Sequence, residues 1–208
     1  MIVKICGIRS LAAAQVAALA GADLVGFVFA PSRRRIDAET AAAISSSILG
    51  PAKVGVFVDQ PLNEVREIAD HCRLDYIQLH GEESPEYSRS LNRPVIRACR
   101  VDSGFAPEQW AAYPAEYLLF DSFVPGQAGG TGTAFDWRET CGRIRHSQQK
   151  FLVAGGLTPE NVADAIRILN PDGVDVSGGV ETDGVKDPDK IRKFIATARN
   201  AAERMQSC

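Results

Sequence analysis

The sequence predicts a (β/α)8 barrel, an α/β fold in which eight parallel strands alternate with helices. Short apolar runs recur roughly every 25 residues, and segments with helical periodicity separate them. The 208 residues are 45% hydrophobic, which is enough to bury one core. We therefore expect residues 1–208 to form a single barrel domain at the lower end of the size range of this fold.

The predicted strands are short runs in which most residues are β-branched, aromatic or otherwise apolar. They cover residues 2–6, 24–29, 53–58, 76–79, 95–99, 117–121, 151–154 and 173–177. Such continuous apolarity is typical of parallel strands that are buried on both faces.

The helices between these strands are indicated with unequal clarity. Residues 10–20 and 38–48 are rich in alanine and favour helix without a distinct apolar face. The fifth unit is the shortest, because residues 106–113 give barely two turns between two prolines. After the seventh strand, Thr158 is expected to cap a helix with Pro159 in its first turn. The apolar residues that follow repeat at helical spacing: Val162, Ala165, Ile166 and Leu169.

The last helix is predicted to begin at Asp187 and Pro188 and shows the same helical spacing of apolar residues. A doubly wound open sheet is the competing architecture for alternating strands and helices. That fold usually carries G-x-G-x-x-G after its first strand, and Cys6-Gly7-Ile8-Arg9 does not supply it. The barrel is therefore favoured.

Composition and charge exclude several classes of partner. The formal net charge of −3 gives no basic surface for nucleic acid. No segment has the ~20 apolar residues of a membrane-spanning helix, and the short first run does not resemble a signal peptide. The five cysteines include no C-x-x-C pair and are typical of a reducing cytosol. We expect a cytoplasmic protein with a small-molecule substrate and no nucleic-acid or membrane partner. Because no contiguous apolar stripe is evident, we expect a monomer or a weak homodimer.

Two glycine-containing segments predict a phosphate site. Gly155-Gly156 follows the seventh strand and Ser177-Gly178-Gly179 the eighth, where such barrels commonly bind phosphate. Glycine allows close approach of the anion, and successive backbone N–H groups donate to it. The alternative is that these are turn glycines. A third segment, Gly129-Gly130-Thr131-Gly132, is a candidate lid or a further phosphate contact through Gly130 and Thr131.

Two residues at strand ends are candidates for acid–base chemistry. Cys6 ends the first strand, and Lys4 lies two residues earlier on the same side of that strand. A neighbouring cation stabilises a thiolate, although a lone cysteine is more often core filler. Asp121 ends an apolar strand, where burial would raise the pKa of a carboxyl and make it an acid. A capping or loop-bracing role for Asp121 is the alternative.

Other polar residues at strand ends are candidates for substrate binding. His80 follows the fourth strand, where it faces the mouth or braces the adjacent loop. One residue of the run Arg33-Arg34-Arg35 is suited to bidentate binding of a carboxylate, unless the run is simply a solvated loop. Asp175 either binds substrate hydroxyl groups or orients the glycine segment that follows it.

An ordered set of segments resembles the phosphoribosylanthranilate isomerases, and the resemblance runs from residue 3 to about residue 195. The segments are Val3-Lys4-Ile5-Cys6-Gly7-Ile8, Gly21-Ala22-Asp23-Leu24-Val25-Gly26-Phe27-Val28-Phe29, Val54-Gly55-Val56-Phe57-Val58, Gln78-Leu79-His80-Gly81, Gly129-Gly130-Thr131-Gly132, Phe135-Asp136-Trp137, Ala154-Gly155-Gly156-Leu157, Pro159-Glu160-Asn161-Val162, Val174-Asp175-Val176-Ser177, Gly179-Val180-Glu181 and Lys186-Asp187.

The resemblance implies an enzyme of tryptophan biosynthesis that performs an Amadori rearrangement without a metal or organic cofactor. It implies that Cys6 is the general base and Asp121 the general acid. Arg34 is the arginine that matches the family's carboxylate ligand, and the glycine segments with Ser177 and Gly178 would bind phosphate. The sequence departs from the family in two places. Gly178 stands where a second serine is common, and the arginine-containing loop is about one residue shorter.

Three other functions compete with this interpretation. A metal-dependent pentose-phosphate epimerase would need paired His and Asp ligands at strand ends, and His80 is the only histidine at one. An indole-glycerol-phosphate synthase would need several catalytic lysines and a glutamate, and only Lys4 is evident. A non-catalytic phosphate-binding barrel would not need both Cys6 and Asp121. We expect no metal site.

Overall fold

The computed structural model describes residues 1–102, 104–122, 137–144 and 149–206. Eight strands form the central sheet: β1 (Ile2–Cys6), β2 (Leu24–Val28), β3 (Ala52–Phe57), β4 (Tyr76–Leu79), β5 (Val95–Val101), β6 (Tyr117–Ser122), β7 (Phe151–Val153) and β8 (Gly173–Val176). A short hairpin of β9 (Glu181–Thr182) and β10 (Val185–Lys186) follows. The helices are α1 (Leu11–Leu19), α2 (Ala38–Ser47), α3 (Leu62–His71), α4 (Pro85–Arg89), α5 (Trp137–Ile144), α6 (Val162–Leu169) and α7 (Pro188–Gln206), with 3-10 turns at Pro107–Trp110 and Gly178–Val180.

The eight strands form a closed parallel barrel in sequence order. Strand β1 pairs on one side with β2, through Cys6 and Gly26 among others, and on the other side with β8, through Lys4 and Asp175. This closure confirms the predicted (β/α)8 barrel and rules out the open sheet. It also brings the carboxyl ends of β1 and β8 together, although Lys4 and Asp175 are 171 positions apart.

Alternate residues on each strand face either the barrel interior or the layer of helices. The interior cluster includes Leu24, Val54, Ile96, Leu119 and Leu152, all nearly inaccessible to solvent. A larger cluster fills the space between strands and helices. Because successive side chains of a strand point to opposite faces, the last inward residue of each strand lies at the mouth.

Side-chain caps mark the starts of helices α1, α2 and α7. Ser10 and Asp37 cap α1 and α2 by accepting hydrogen bonds from the backbone three residues later. Asp187 accepts from the backbone N–H groups of Asp189 and Lys190, which confirms the predicted start of α7.

The expected start of the helix after the seventh strand was wrong. Thr158 begins a turn in which its hydroxyl accepts from the backbone of Glu160, and α6 begins only at Val162 with Asn161 as its cap residue. The side-chain oxygen of Asn161 instead accepts from the backbone of Thr158. The asparagine stabilises the turn, and the helix is delayed by one turn. In the fifth unit, the short segment forms a single 3-10 turn at Pro107–Trp110.

Among the described helices, none combines the length and the apolar character that a membrane span requires.

Candidate active site

Cys6 and Lys4 lie side by side at the mouth end of β1. Lys4 is completely buried, and its Nζ lies 3.0 Å from Oδ1 of Asp175 on β8. Burial raises the pKa of the Cys6 thiol, while the Lys4 ammonium opposes that rise by its charge and by a hydrogen bond to the sulfur. The Asp175 carboxylate raises the same pKa. Burial disfavours the charge on Lys4, but Asp175 and Cys6 together hold the pKa of Lys4 above its ordinary value.

Gly26 on β2 provides the space in which these two side chains meet. A Cβ atom at Gly26 would lie 2.9 Å from Cys6 Sγ and 3.3 Å from Lys4 Nζ. The first distance is shorter than real packing allows. The Cys6–Lys4 contact therefore requires a residue without a side chain at position 26.

Asp121 lies near the end of β6 and is buried. It lines a cavity that is also lined by Asp175 and by both candidate phosphate segments: Gly155, Gly156, Ser177, Gly178 and Gly179. Asp175 in turn contacts Lys4, the neighbour of Cys6. The candidate acid, the glycine segments and the carboxylate partner of Lys4 thus face one space at the carboxyl ends of the strands.

His80 reaches Asp121 across this mouth. Its Nε2 lies 3.4 Å from Oδ2 of Asp121, and its Nδ1 lies 3.0 Å from Nε2 of Gln78. When the Gln78 amide donates to Nδ1, the imidazole proton is on Nε2 and points at the carboxyl of Asp121. Sequence reasoning missed Gln78. Its position on β4, two residues before His80, was the available signal.

The loop that carries His80 is held from behind by a buried ion pair. Arg97 of β5 donates to Glu83 Oε2 at 2.7 Å and to the carbonyl of Gly81 at 2.8 Å. Glu83 also accepts from the backbone of Asp59 and Gly81. Arg97, one of the polar residues on the fifth strand, therefore braces the loop after β4.

The glycine pair after β7 has a backbone conformation that explains why glycine stands at both positions. Gly155 and Gly156 have φ angles of 82° and 64°, in the left-handed region that favours glycine. The Asn161 side chain donates to the Gly156 carbonyl at 2.9 Å and fixes the turn. Gly130 and Thr131, the other two candidate phosphate ligands, lie outside the described residues.

Ser177 connects the second glycine segment to β1. Its hydroxyl donates to the carbonyl of Cys6 at 3.1 Å, and Lys186 Nζ donates to the Ser177 carbonyl at 3.0 Å. Lys186 Nζ also lies 3.3 Å from the Ser177 hydroxyl oxygen. The segment that follows β8 is therefore bonded both to the strand that carries the thiol and to a lysine.

Arg34 is distinguished from its neighbours by burial and pairing. Arg33 and Arg35 are exposed, whereas Arg34 is buried and donates from Nε and Nη2 to both carboxylate oxygens of Glu181, at 2.7 and 2.9 Å. Lys186 Nζ donates to the same carboxylate at 2.7 Å. Although burial acts in the opposite direction, the two cations lower the pKa of Glu181 to about 2. Sequence reasoning missed the roles of Glu181 and Lys186.

Together these features define a class of protein: a (β/α)8-barrel enzyme with a buried thiol, carboxyl groups, cations and two glycine segments around one mouth. No group of side chains suited to hold a metal ion occurs in the part of the chain that the structure describes.

Comparison with known proteins identifies the family. The family model for N-(5'-phosphoribosyl)anthranilate (PRA) isomerase matches residues 3–197, and the chain belongs to this family. The N-(5'-phosphoribosyl)anthranilate isomerase of Desulforudis audaxviator is 51% identical over 96% of this chain and 98% of the relative.

Two solved structures extend the similarity to three dimensions. Monomers generated from the dimeric isomerase of Thermotoga maritima superpose with a TM-score of 0.85 at 36% identity, covering 96% of this chain and 100% of that one. A phosphoribosylanthranilate isomerase in complex with reduced 1-(o-carboxyphenylamino)-1-deoxyribulose 5-phosphate superposes with a TM-score of 0.84 at 37% identity and the same coverage.

Proposed function

We propose that this chain converts N-(5-phosphoribosyl)anthranilate to 1-(2-carboxyphenylamino)-1-deoxyribulose 5-phosphate, an acid–base isomerisation of tryptophan biosynthesis, with Asp121 as acid and Cys6 as base. The observation that carries the proposal is the cavity shared by Asp121, Asp175 and the two glycine segments, with Cys6 beside Lys4 next to it. Family membership agrees with this activity.

The first step in this proposal is ring opening. The Asp121 carboxyl protonates the furanose ring oxygen, and the C1′–O bond breaks to give a protonated Schiff base between C1′ and the anthranilate nitrogen. The carboxylate that remains accepts a hydrogen bond from the Nε2–H of His80, which lies 3.4 Å away. His80, on the substrate-binding side of Asp121, therefore stabilises the negative charge of the Asp121 carboxylate.

The second step is removal of the proton from C2′. The Cys6 thiolate takes this proton. The electron pair of the broken C2′–H bond forms the C1′–C2′ double bond of an enolamine, which tautomerises to the ketose product. A buried thiol stays protonated and cannot accept this proton unless a cation stabilises its thiolate form. Lys4 supplies that cation, since its ammonium lowers the pKa of Cys6 against the effect of burial.

Substrate placement follows from the charges of the two ends of the substrate. The phosphate is proposed to bind the N–H groups of Gly155, Gly156 and Gly178 with the Ser177 hydroxyl. The anthranilate carboxylate is proposed to bind Arg34. Asp175 is proposed to accept a hydrogen bond from a ribose hydroxyl with the oxygen that Lys4 leaves available.

The experiment that tests this proposal follows the loss of phosphoribosylanthranilate fluorescence with purified protein. Turnover without added metal is expected, and Cys6→Ser or Asp121→Asn should nearly abolish it while circular dichroism remains unchanged. Wild-type activity in either variant would remove that residue from the proposed role. A requirement for metal would favour the epimerase class, and phosphate binding without turnover would favour a non-catalytic barrel.

Further properties of the protein are also proposed. Residues 1–208 would form one barrel domain, act in the cytoplasm and require no cofactor. The protein would be a monomer or a weak homodimer, without nucleic-acid or membrane partners; dimers occur in the family, as in Thermotoga maritima. Sedimentation at several protein concentrations distinguishes the two oligomeric states.

A further inference from the structure

A buried cluster of three charged side chains lies beside the proposed carboxylate subsite. Arg34, Glu181 and Lys186 have side chains that are 9%, 6% and 5% exposed. Both cations contact the single carboxylate of Glu181, at 2.7 Å in each case. With two positive charges and one negative charge, the cluster carries a net charge of +1.

No second carboxylate among the described residues balances the excess positive charge; the only other anionic group that acts on both cations there is Cys6, when it is ionised. In the part of the chain that the structure describes, the ion pairs of Arg34 and Lys186 go to Glu181 alone. Asp175, on β8, is already paired with Lys4. Because a buried charge is unfavourable without a partner, this cluster is suited to bind an anion.

The hydrogen-bonding geometry shows where that anion would be held. Glu181 occupies the edge of the Arg34 guanidinium formed by Nε and Nη2. A guanidinium has five N–H donors, so the end formed by Nη1 and the second hydrogen of Nη2 is left for another acceptor. Among the described residues, no hydrogen bond from Nη1 is found. This end has the fork shape that matches a planar carboxylate.

We propose that Lys186 is a specificity-determining residue for the anthranilate carboxylate, an inference that rests on the proposed function. Lys186 neutralises Glu181, and the charge of Arg34 is thereby left to attract a second carboxylate. Without Lys186, Arg34 and Glu181 would form a closed, neutral pair. Glu181 would still hold the guanidinium in place, but its charge would cancel the attraction of Arg34 for the substrate.

The test measures equilibrium binding of two probes by isothermal titration calorimetry. One probe is reduced 1-(o-carboxyphenylamino)-1-deoxyribulose 5-phosphate, and the other is the same compound with a phenyl ring that lacks the carboxylate. Because Lys186 also donates to Ser177 of the proposed phosphate site, Lys186→Met can weaken both probes, but it should weaken the first about tenfold more than the second. Binding is measured instead of kcat because Lys186 also lowers the pKa of Cys6.

Matched variants separate charge from structure. Lys186→Arg should retain the preference for the carboxylate probe, and Lys186→Gln is a second neutral variant should Lys186→Met not fold. Lys190→Met is the control, because Lys190 Nζ donates to the backbone carbonyl of Glu181 at 2.8 Å and not to its carboxylate. It should leave both affinities unchanged.

The outcomes distinguish this inference from the proposed function. Equal weakening of both probes, or no weakening, in the neutral Lys186 variants would overturn the role of Lys186 while leaving the isomerase proposal intact. Wild-type protein that binds neither probe would overturn both.

Discussion

Lys4 Nζ lies 3.0 Å from Asp175 Oδ1 with both side chains buried, and the same ammonium contacts the Cys6 sulfur. One cation thus lies beside both a carboxylate and a thiol at the base of the mouth. Burial raises the pKa of Cys6, Lys4 lowers it and Asp175 raises it. The two neighbours therefore act on the ionisation of Cys6 in opposite directions.

The first prediction is that changes to the two neighbours move the Cys6 pKa in opposite directions. Lys4→Met removes the stabilising cation, so the thiolate should form at higher pH; Asp175→Asn removes the competing carboxylate, so it should form at lower pH. Shifts of about one pH unit are expected. The rate of alkylation by iodoacetamide, measured against pH, reports the midpoint. Alkylation of the Cys6→Ser variant gives the contribution of the other cysteines. If the midpoint moved in the same direction in Lys4→Met and Asp175→Asn, the opposing effects of these two neighbours would be contradicted.

The second prediction concerns Gly26. Gly26→Ala places a methyl group 2.9 Å from Cys6 Sγ, so the thiol must move away from its position beside Lys4. We expect kcat to fall by about tenfold or more with little change in secondary structure. Gly142→Ala is the matched control, because among the described residues outside its chain neighbours and its own helix backbone no atom lies within 4 Å of the added Cβ. A Gly26→Ala enzyme with wild-type kcat would show that the thiol position is not critical.

The third prediction concerns the hydrogen bond from Gln78 to His80. Gln78→Leu removes the donor to Nδ1, which allows the imidazole proton to move to Nδ1 and leaves Nε2 without a proton for Asp121. We expect kcat to decrease and the 15N shifts of the imidazole to report the other tautomer. Gln15→Leu, at an exposed position of α1, should change neither. An unchanged tautomer in Gln78→Leu would disprove the positioning role.

The fourth prediction is the pH dependence of stability that Glu181 confers. Its pKa is about 2 in the folded protein against 4.5 for the ordinary carboxyl, so its contribution is present above about pH 4.5 and is lost as the pH falls towards 2. The contribution is on the order of 3 kcal/mol. Urea unfolding of wild type and Glu181→Gln should therefore differ most near neutral pH and converge in acid. The exposed Glu82 provides the control, Glu82→Gln, for which no such convergence is expected.

Features with local or periodic signatures could be predicted from the sequence. The eight strands were recognisable because buried parallel strands are continuous apolar runs, and the mouth residues followed from their position at strand ends. The start of α7 was predictable because Asp187 is a local cap.

Pairing across the closed barrel could not be predicted. Arg34 and Glu181 are 147 positions apart, and no spacing in the sequence indicates that they meet. The contacts of Lys186 depend on a two-stranded hairpin whose strands are too short to have a recognisable pattern. The start of α6 was misjudged because the Asn161 side chain stabilises a separate turn, an interaction that competes with the cap at Thr158.

The most direct test of the central claim is a crystal structure with reduced 1-(o-carboxyphenylamino)-1-deoxyribulose 5-phosphate bound at the mouth. We expect Cys6 Sγ within about 3.5 Å of C2′ and the Asp121 carboxyl within hydrogen-bonding distance of the 4′ oxygen, which is the former ring oxygen. A complex in which the sulfur and the carboxyl cannot both reach the same bound sugar would contradict it.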